Sequence, residues 1–387
     1  MLELLGKFQL KTRIVFGRGA VEGIGELARD ISAKTYLIVA DAALDQGGQL
    51  ALARESLRRA GLAGEVYTEV EPEPYLDNAD GAAAVGREAR ADLVIGMGGG
   101  SAMDTAKAAA ALMANTGKAQ DYVGLNLVPK AGVPTIMVPT TAGTGSEVTF
   151  TAVVTNRETK AKGGINSVHL FPDWAVLDPD LTTTVPPDVT AATGMDALTH
   201  AIESVSGKAS SVFTEAFALT AVKLISANLR RTVYHGNDVQ AREKMLYGSL
   251  LAGIALADAG VGAAHALAYP LGGMYRIPHG LANAILIPYV MEFNLPAAET
   301  AYALTAGAMG ASTQSMTPRD AGAMAVEAVR DLCDDIGIPA SLSDLDVPVS
   351  DIPLLVEGAL KVTRPVENNP RTLTSQDAEW IYERAFM

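Results

Sequence analysis

The stretch Asp92–Met113, DLVIGMGGGSAMDTAKAAAALM, decides the fold. An apolar run ends in glycines at Gly96, Gly98, Gly99 and Gly100, and Ser101 then opens an alanine-rich helical stretch. A strand passing through such a turn into a helix makes a phosphate cradle. Glycines let the main chain turn tightly and approach an anion, and the free N–H groups and positive dipole end of the helix bind it. The spacing Gly-x-Gly-x-x-Ser comes close to the dinucleotide fingerprint without meeting it. The same residues also make a plain glycine-rich turn capped by Ser101, with Asp104 three residues on.

Outward from this turn the first half alternates apolar runs with helical periods. TYLIVAD (Thr35–Asp41), GEVYTEV (Gly64–Val70) and TIMVPTT (Thr135–Thr141) read, with Asp92–Gly98, as parallel strands buried on both faces. Ala51–Ala60 and Asn78–Arg90 read as the amphipathic helices between them. TFTAVVTN (Thr149–Asn156) and WAVLDP (Trp174–Pro179) alternate more, which predicts a shorter antiparallel or hairpin element. After Pro186-Pro187 long Ala- and Leu-rich segments separated by Gly and Pro run to the end. The chain is therefore expected to hold an α/β domain with a mostly parallel sheet over 1–186 and an all-helical domain over 187–387.

Composition bounds what such a chain does. Its 387 residues are 49% hydrophobic and carry 30 Lys plus Arg against 44 Asp plus Glu, a net charge of −14. That charge repels phosphate backbones and anionic lipid, so neither nucleic acid nor membrane is an expected partner. The longest weakly charged stretch, Leu246 to Tyr275, is broken by Asp258, His265, Pro270 and glycines, and reads as buried helices. A single cysteine, Cys333, and no signal-peptide pattern at the start predict a reducing, cytoplasmic setting.

Three further segments carry chemistry. Asp41 closes a strand, where its carboxylate can accept hydrogen bonds from a ribose diol and repel an added 2′-phosphate, favouring NAD over NADP; a turn cap is the other reading. VPTTAGTGSEVT (Val138–Thr149) gathers Thr140, Thr141, Thr144 and Ser146 around Gly143 and Gly145, which suits a polar ligand, or makes an ordinary loop. In GMDALTHAIES, Asp196 and His200 are four apart on a helix and share a face; downstream stand His265 and His279. One carboxylate and three imidazoles suit a divalent first-row metal, Fe(II) or zinc, whereas taken singly they read as a helix ion pair and buried histidines. His169 and His235 receive no role, and Cys333 reads as a minor core residue.

Together GGGSAMDTAK, PTTAGTGSEVT, ATGMDALTHAIES and HALAYPLGGMYRIPHGLANAILIPYVM resemble the iron-containing (group III) alcohol dehydrogenase family, over nearly the whole chain. The resemblance implies a dehydroquinate synthase-like architecture, an α/β nucleotide domain followed by an all-α domain, with the active site between them, and a homodimer or higher homo-oligomer. It implies Asp196, His200, His265 and His279 as ligands of Fe(II), zinc being the alternative. It places the pyrophosphate on Gly98, Gly99, Gly100 and Ser101, supported by Asp104. Asp41 matches the acid that selects NAD, Thr140, Thr141 and Thr144 the nicotinamide-side loop, Lys162 a lysine reaching the cofactor ribose, and Val153 an apolar contact before it.

Two positions depart from the family pattern. Tyr269 stands where many members have a second histidine beside the nicotinamide, which puts a phenol with an ordinary pKa of about 10 in the proton path. Glu73-Pro74 replaces Asn-Pro on the adenosine side. The implied activity is reversible, metal-dependent hydride transfer between NAD(H) and a small primary alcohol or aldehyde, with Tyr269 and His279 as catalytic residues. Phe150, Thr151, Leu256, Tyr269 and Arg276 are the pocket candidates, and Arg276 either anchors an anionic aldehyde or lies solvated at the surface. A hydroxyacid–oxoacid transhydrogenase with bound NAD and a non-catalytic cofactor-binding assembly protein are the competing readings.

Overall fold

The computed structural model describes residues 8–387. Two compact units divide it: Leu10–Thr184, and Val185–Met387 together with Phe8 and Gln9. Gln9 joins the second unit because its N–H donates to Asp258 Oδ2 at 3.0 Å. The expected α/β stretch of 1–186 thus differs at both ends, since local composition around residue 9 carries no trace of that long-range bond.

The first unit holds β1 (Arg13–Phe16), β2 (Thr35–Ala40), β3 (Ala63–Tyr67), β4 (Leu93–Gly98), β5 (Gly124–Leu125), β6 (Thr135–Pro139), β7 (Thr151–Thr155), β8 (Lys162–Asn166) and β9 (Trp174–Leu177). Its helices are α1 (Ile24–Asp30), α2 (Ala42–Gln46), α3 (Gln49–Arg59), α4 (Leu76–Glu88) and α5 (Gly100–Ala114). Six strands form a parallel sheet in the order β1-β9-β6-β4-β2-β3. Along β2, Leu37 and Val39 pack with α4 and α5 residues such as Ala82 and Ala109. Tyr36, Ile38 and Ala40 pack with α1 and α3 residues such as Ile24 and Leu57. The period of two, apolar on both faces, is why these runs read as continuous hydrophobic stretches.

Trp174–Leu177 does not form the antiparallel element its alternation suggested. It lies between β1 and β6 in the parallel sheet, with Ala175, Val176 and Leu177 fully buried. The antiparallel expectation is met by β7, which pairs with β8 from Thr151 opposite Asn166 to Thr155 opposite Lys162. The edge strand β1, RIVF, is too short to announce itself by periodicity.

The second unit is helical: α6 (Pro187–Ser206), α7 (Val212–Tyr234), α8 (Val239–Ala259), α9 (Ala263–Tyr275), α10 (His279–Asn294), α11 (Glu299–Ala308), α12 (Pro318–Asp335), α13 (Ile352–Leu360), α14 (Thr363–Asn368) and α15 (Ser375–Ala385). Helix α6 packs against α7, α8 and α10, and α9 against α10 and α13. By length and composition alone α7 is apolar enough to cross a bilayer. It carries Glu215, Lys223, Arg230 and Arg231, and packs on α6 and α8. The weakly charged stretch of α8 and α9 bends by 103° at its break. Gly260 makes that corner at φ +67°, and Asn368 Nδ2 donates to the carbonyls of Ala259 (2.8 Å) and Val261 (3.0 Å). Asn369 Oδ1 accepts the Ala263 N–H at 3.2 Å.

Candidate functional site

In the first unit, β2 and β4 are neighbours, with Ala40 opposite Met97. Asp41 and Gly98 therefore end side by side at the carboxyl edge of the sheet. A Cβ on Gly98 would lie 2.6 Å from Asp41 Oδ2 and 2.7 Å from the Ala102 Cβ, and its φ is +150°, so only glycine fits. The chain leaves β2 toward α3 on one face and β4 toward α5 on the other. That divergence opens the crevice in which open α/β sheets take nucleotides. Burial raises the Asp41 carboxyl above its ordinary value, opposed by a hydrogen bond from the Gly99 amide.

The plain turn capped by Ser101, the competing reading of these residues, is not what forms. Helix α5 begins at Gly100, with Gly99 as N-cap and no side chain bonding the cap. Ser101 lies inside the first turn, and Asp104 reaches away from it. Asp104 Oδ1 accepts the Ser146 hydroxyl at 2.5 Å and its Oδ2 the Val153 N–H at 2.9 Å. Asp104 thus supports the turn indirectly, by holding the neighbouring loop.

That loop, Val138–Thr149, packs on the glycines. Thr140 N–H donates to the Gly98 carbonyl at 3.0 Å. A Cβ on Gly100 would lie 2.7 Å from Thr144 Cγ2, and one on Gly99 3.5 Å from Thr141 Oγ1. Lys107, 1% exposed, fastens it from below: Nζ bonds Ser146 O (3.0 Å), Thr149 Oγ1 (3.4 Å) and Thr151 O, and pairs with Asp104 Oδ1 (3.0 Å). Burial lowers the Lys107 pKa, with Asp104 opposing. Beside it Glu147 is buried, and that burial pushes its carboxyl up to about 7 against a backbone hydrogen bond and the pull of Lys107. Lys162, whose side chain is buried, ion-pairs with Glu73, the residue that departs from the family pattern. Phe150 packs its ring 5.3 Å from Phe171, and Thr151 Oγ1 donates to Asn166 Oδ1 at 2.8 Å.

In the second unit, α6 presents Asp196, His200 and Glu203, α9 presents His265 in its first turn, and α10 begins with His279. A Cβ on Gly280 would lie 2.4 Å from the Ala192 carbonyl, so glycine there lets the start of α10 close on α6. Ligand atoms of Asp196, His265 and His279 all lie within 4.8 Å of one another. His200 is not in that group of three; its ring stacks on His265 at 4.6 Å. Asp196 Oδ1 faces His265 Nε2 at 3.9 Å and His279 Nε2 at 3.8 Å, and accepts from Asn283 Nδ2 at 2.8 Å. Burial raises the Asp196 carboxyl, but His200, His279, His265 and the Asn283 amide together draw it below its ordinary value. Burial lowers the His265 pKa, and Glu203 and Asp196 together more than reverse this.

This donor set fits a divalent cation. Asp196 is 2% exposed, and among the described residues no lysine or arginine pairs with it. A buried carboxylate needs a positive partner. His265 Nε2 is buried and has no hydrogen-bond partner among the described residues. Nitrogen and oxygen donors of this kind suit first-row metals.

Of the remaining candidates, Tyr269 lies near this group, its ring 5.8 Å from that of His279. Leu256 is half-buried on α8. Arg276 is exposed and left-handed (φ +58°) at the end of α9. Phe150 and Thr151 belong to the other unit. His169 and His235 are exposed, while Cys333 is buried and contacts the Ala284 carbonyl at 3.6 Å. Sequence reasoning missed Lys107, Glu203, Asn283 and Asn369. Only Glu203 had a visible signal, on the Asp196/His200 face of α6.

Comparison with known proteins gives a consistent result. Residues 11–179 match the family model for iron-containing alcohol dehydrogenase, and 190–386 match that for the C-terminal part of the Fe-containing alcohol dehydrogenase family. The chain is 40% identical over 383 residues to long-chain-alcohol dehydrogenase 1 of Geobacillus thermodenitrificans, covering 97% of this chain and 96% of that protein. It is 36% identical over 376 residues to sulfoacetaldehyde reductase of Bilophila wadsworthia, covering 97% of each. A crystal structure of 1,3-propanediol oxidoreductase superimposes with a TM-score of 0.96 at 38% identity, covering 99% of this chain and 100% of that one. The chain belongs to the iron-containing alcohol dehydrogenase family and is an NAD-dependent, metal-assisted oxidoreductase of alcohols and aldehydes.

Proposed function

We propose that the protein transfers hydride reversibly between NAD(H) and a small primary alcohol or its aldehyde, working as a cytoplasmic homo-oligomer, a dimer in the simplest case. The observation that carries this reading is the convergence of buried Asp196 and His265 with half-buried His279 in a chain that also holds a glycine turn beside an acid. Asp196, His200, His265 and His279 would hold Fe(II), with zinc the chemical alternative. A bound ion supplies Lewis-acid polarisation of the substrate oxygen, and the nicotinamide carries the hydride.

The chain's own groups do the rest. Amides of Gly98, Gly99, Gly100 and Ser101 receive the pyrophosphate, and the hydroxyls of Thr140, Thr141 and Thr144 border it on the nicotinamide side. Val153 and Lys162 stand further along the cofactor, Lys162 sharing its charge with Glu73. Tyr269, beside His279, holds the hydroxyl proton of the substrate by hydrogen bond. Phe150, Thr151 and Leu256 exclude water, and Arg276 meets a carboxylated or sulfonated aldehyde, a reading supported by the sulfoacetaldehyde reductase among the relatives.

The test is anaerobic NADH oxidation with neutral and anionic short aldehydes, using protein stripped of metal and reloaded with Fe(II) or zinc. Turnover is expected only after reloading. Bound NADH with no turnover on either metal would count against the reading, and turnover without added NAD would point to a transhydrogenase.

Cofactor choice is assigned to Asp41, whose charge beside the glycine turn would repel a ribose 2′-phosphate. Asp41→Gly is expected to raise the NADP-to-NAD ratio of kcat/KM roughly tenfold or more, by removing a like-charge contact. An unchanged ratio would remove Asp41 from the cofactor site.

A further inference from the structure

Glu203 has no part in the roles above. It follows His200 by three residues and Asp196 by seven on α6, and is only 4% exposed. Among the described residues no lysine or arginine pairs with it; its ionic partner is His265. Its oxygens take three N–H donors from the start of α9. Oε2 accepts from Gly262 N (2.8 Å) and lies 2.6 Å from His265 Nδ1, and Oε1 accepts from Ala264 N (2.8 Å). A Cβ on Gly262 would lie 3.1 Å from Glu203 Oε1, so glycine keeps this approach open.

An ionised carboxylate only accepts, so Nδ1 must carry the proton of a neutral His265 ring and Nε2 must carry the lone pair. Nε2 is buried, faces Asp196 and has no hydrogen-bond partner among the described residues. We infer that Glu203 is a positioning residue that fixes the tautomer and angle of His265 before any metal arrives. It does so by clamping the first turn of α9 and the ring together. The inference rests on the metal reading of the Asp196 group.

Glu203→Gln tests it because an amide cannot satisfy the same three donors. If the amide oxygen sits at the Oε2 position, its NH2 opposes Ala264 N–H. If the NH2 sits there, it donates to Nδ1 and drives the proton to Nε2, where a metal would bind. Two readouts apply to metal-free protein at alkaline pH: the His265 tautomer by 15N NMR with labelled histidine, and the dissociation constant for zinc by chelator competition. The expected results are an Nδ1–H tautomer in the unaltered protein and a zinc constant weakened roughly 10- to 100-fold in Glu203→Gln. A zinc constant within twofold of the unaltered protein, whatever the melting temperature does, would reduce Glu203 to a helix clamp and overturn the inference. An Nε2–H tautomer in the unaltered protein would overturn it even if the variant failed to fold. Failure of the unaltered protein to bind zinc or Fe(II) would instead sink the metal reading itself, and this inference with it.

Discussion

His265→Ala is expected to leave the protein without bound metal after dialysis and to lower kcat/KM for aldehyde reduction on the order of 10³-fold or more, a loss of several kcal/mol of transition-state stabilisation. The ring is 2% exposed, lies between those of His200 and His279, and turns its unpartnered Nε2 toward Asp196. Its removal takes one donor from a group of three whose atoms lie within 4.8 Å. It also leaves the buried Asp196 carboxylate with one imidazole fewer facing it. Elemental analysis and steady-state rates measure the two effects separately. His235→Ala, at an exposed position, is the control expected to change neither. Full metal content in His265→Ala would remove this residue from the ligand set.

Lys107→Met is expected to cost about 3–5 kcal/mol of stability, the usual consequence of breaking a buried ion pair by removing one partner. For a unit of this size that lowers the melting temperature by roughly 10 °C or more. Methionine matches the length of the lysine stem, so packing is retained and the charge is what disappears. Asp104 then keeps the Ser146 hydroxyl and the Val153 N–H but no cation, and the carbonyls of Ser146 and Thr151 lose their donor. The loop bearing Thr144 against Gly100 loosens with them, so the KM for NAD is expected to rise as well. The deficit depends on pH. Glu147 has its folded pKa raised from 4.5 to about 7, chiefly by burial, so its stabilising contribution is present below 4.5 and lost as pH rises through 7. A backbone hydrogen bond and, after it, the Lys107 charge hold that value down, so removal of Lys107 widens the window of loss. Denaturant titrations should show a larger difference between variant and unaltered protein at about pH 8 than at about pH 5. An equal difference at both values would mean that Lys107 does not hold down the Glu147 carboxyl, and no difference at either would mean that it carries no structural charge.

What was legible and what was not divides along sequence distance. The strands around Gly98, the helical second half and the Asp196/His200 pair were readable because each depends on periodicity or a turn within a few residues. The relation of Asp41 to the glycine turn was not, because the acid precedes the glycines in the chain. Only the sheet order, with β2 beside β4, brings them together. Asp104 sits three residues after Ser101 and so mimics a capping box, but its partners Ser146 and Val153 come from another loop. Lys107 in an alanine-rich helix resembles a solvated surface cation, and tertiary contacts bury it instead. Trp174–Leu177 alternated like a hairpin strand and was drawn into the parallel sheet by the neighbours on either side.

The corner between α8 and α9 sets an order of events during synthesis. Asp196, His265 and His279 leave the ribosome well before Asn368 and Asn369, which hold the carbonyls and the amide of that corner. A nascent chain that has already delivered every ligand of the Asp196 group therefore still lacks the two side chains that close the corner ahead of His265, and the second unit completes this part of its architecture only after residue 369 has been added.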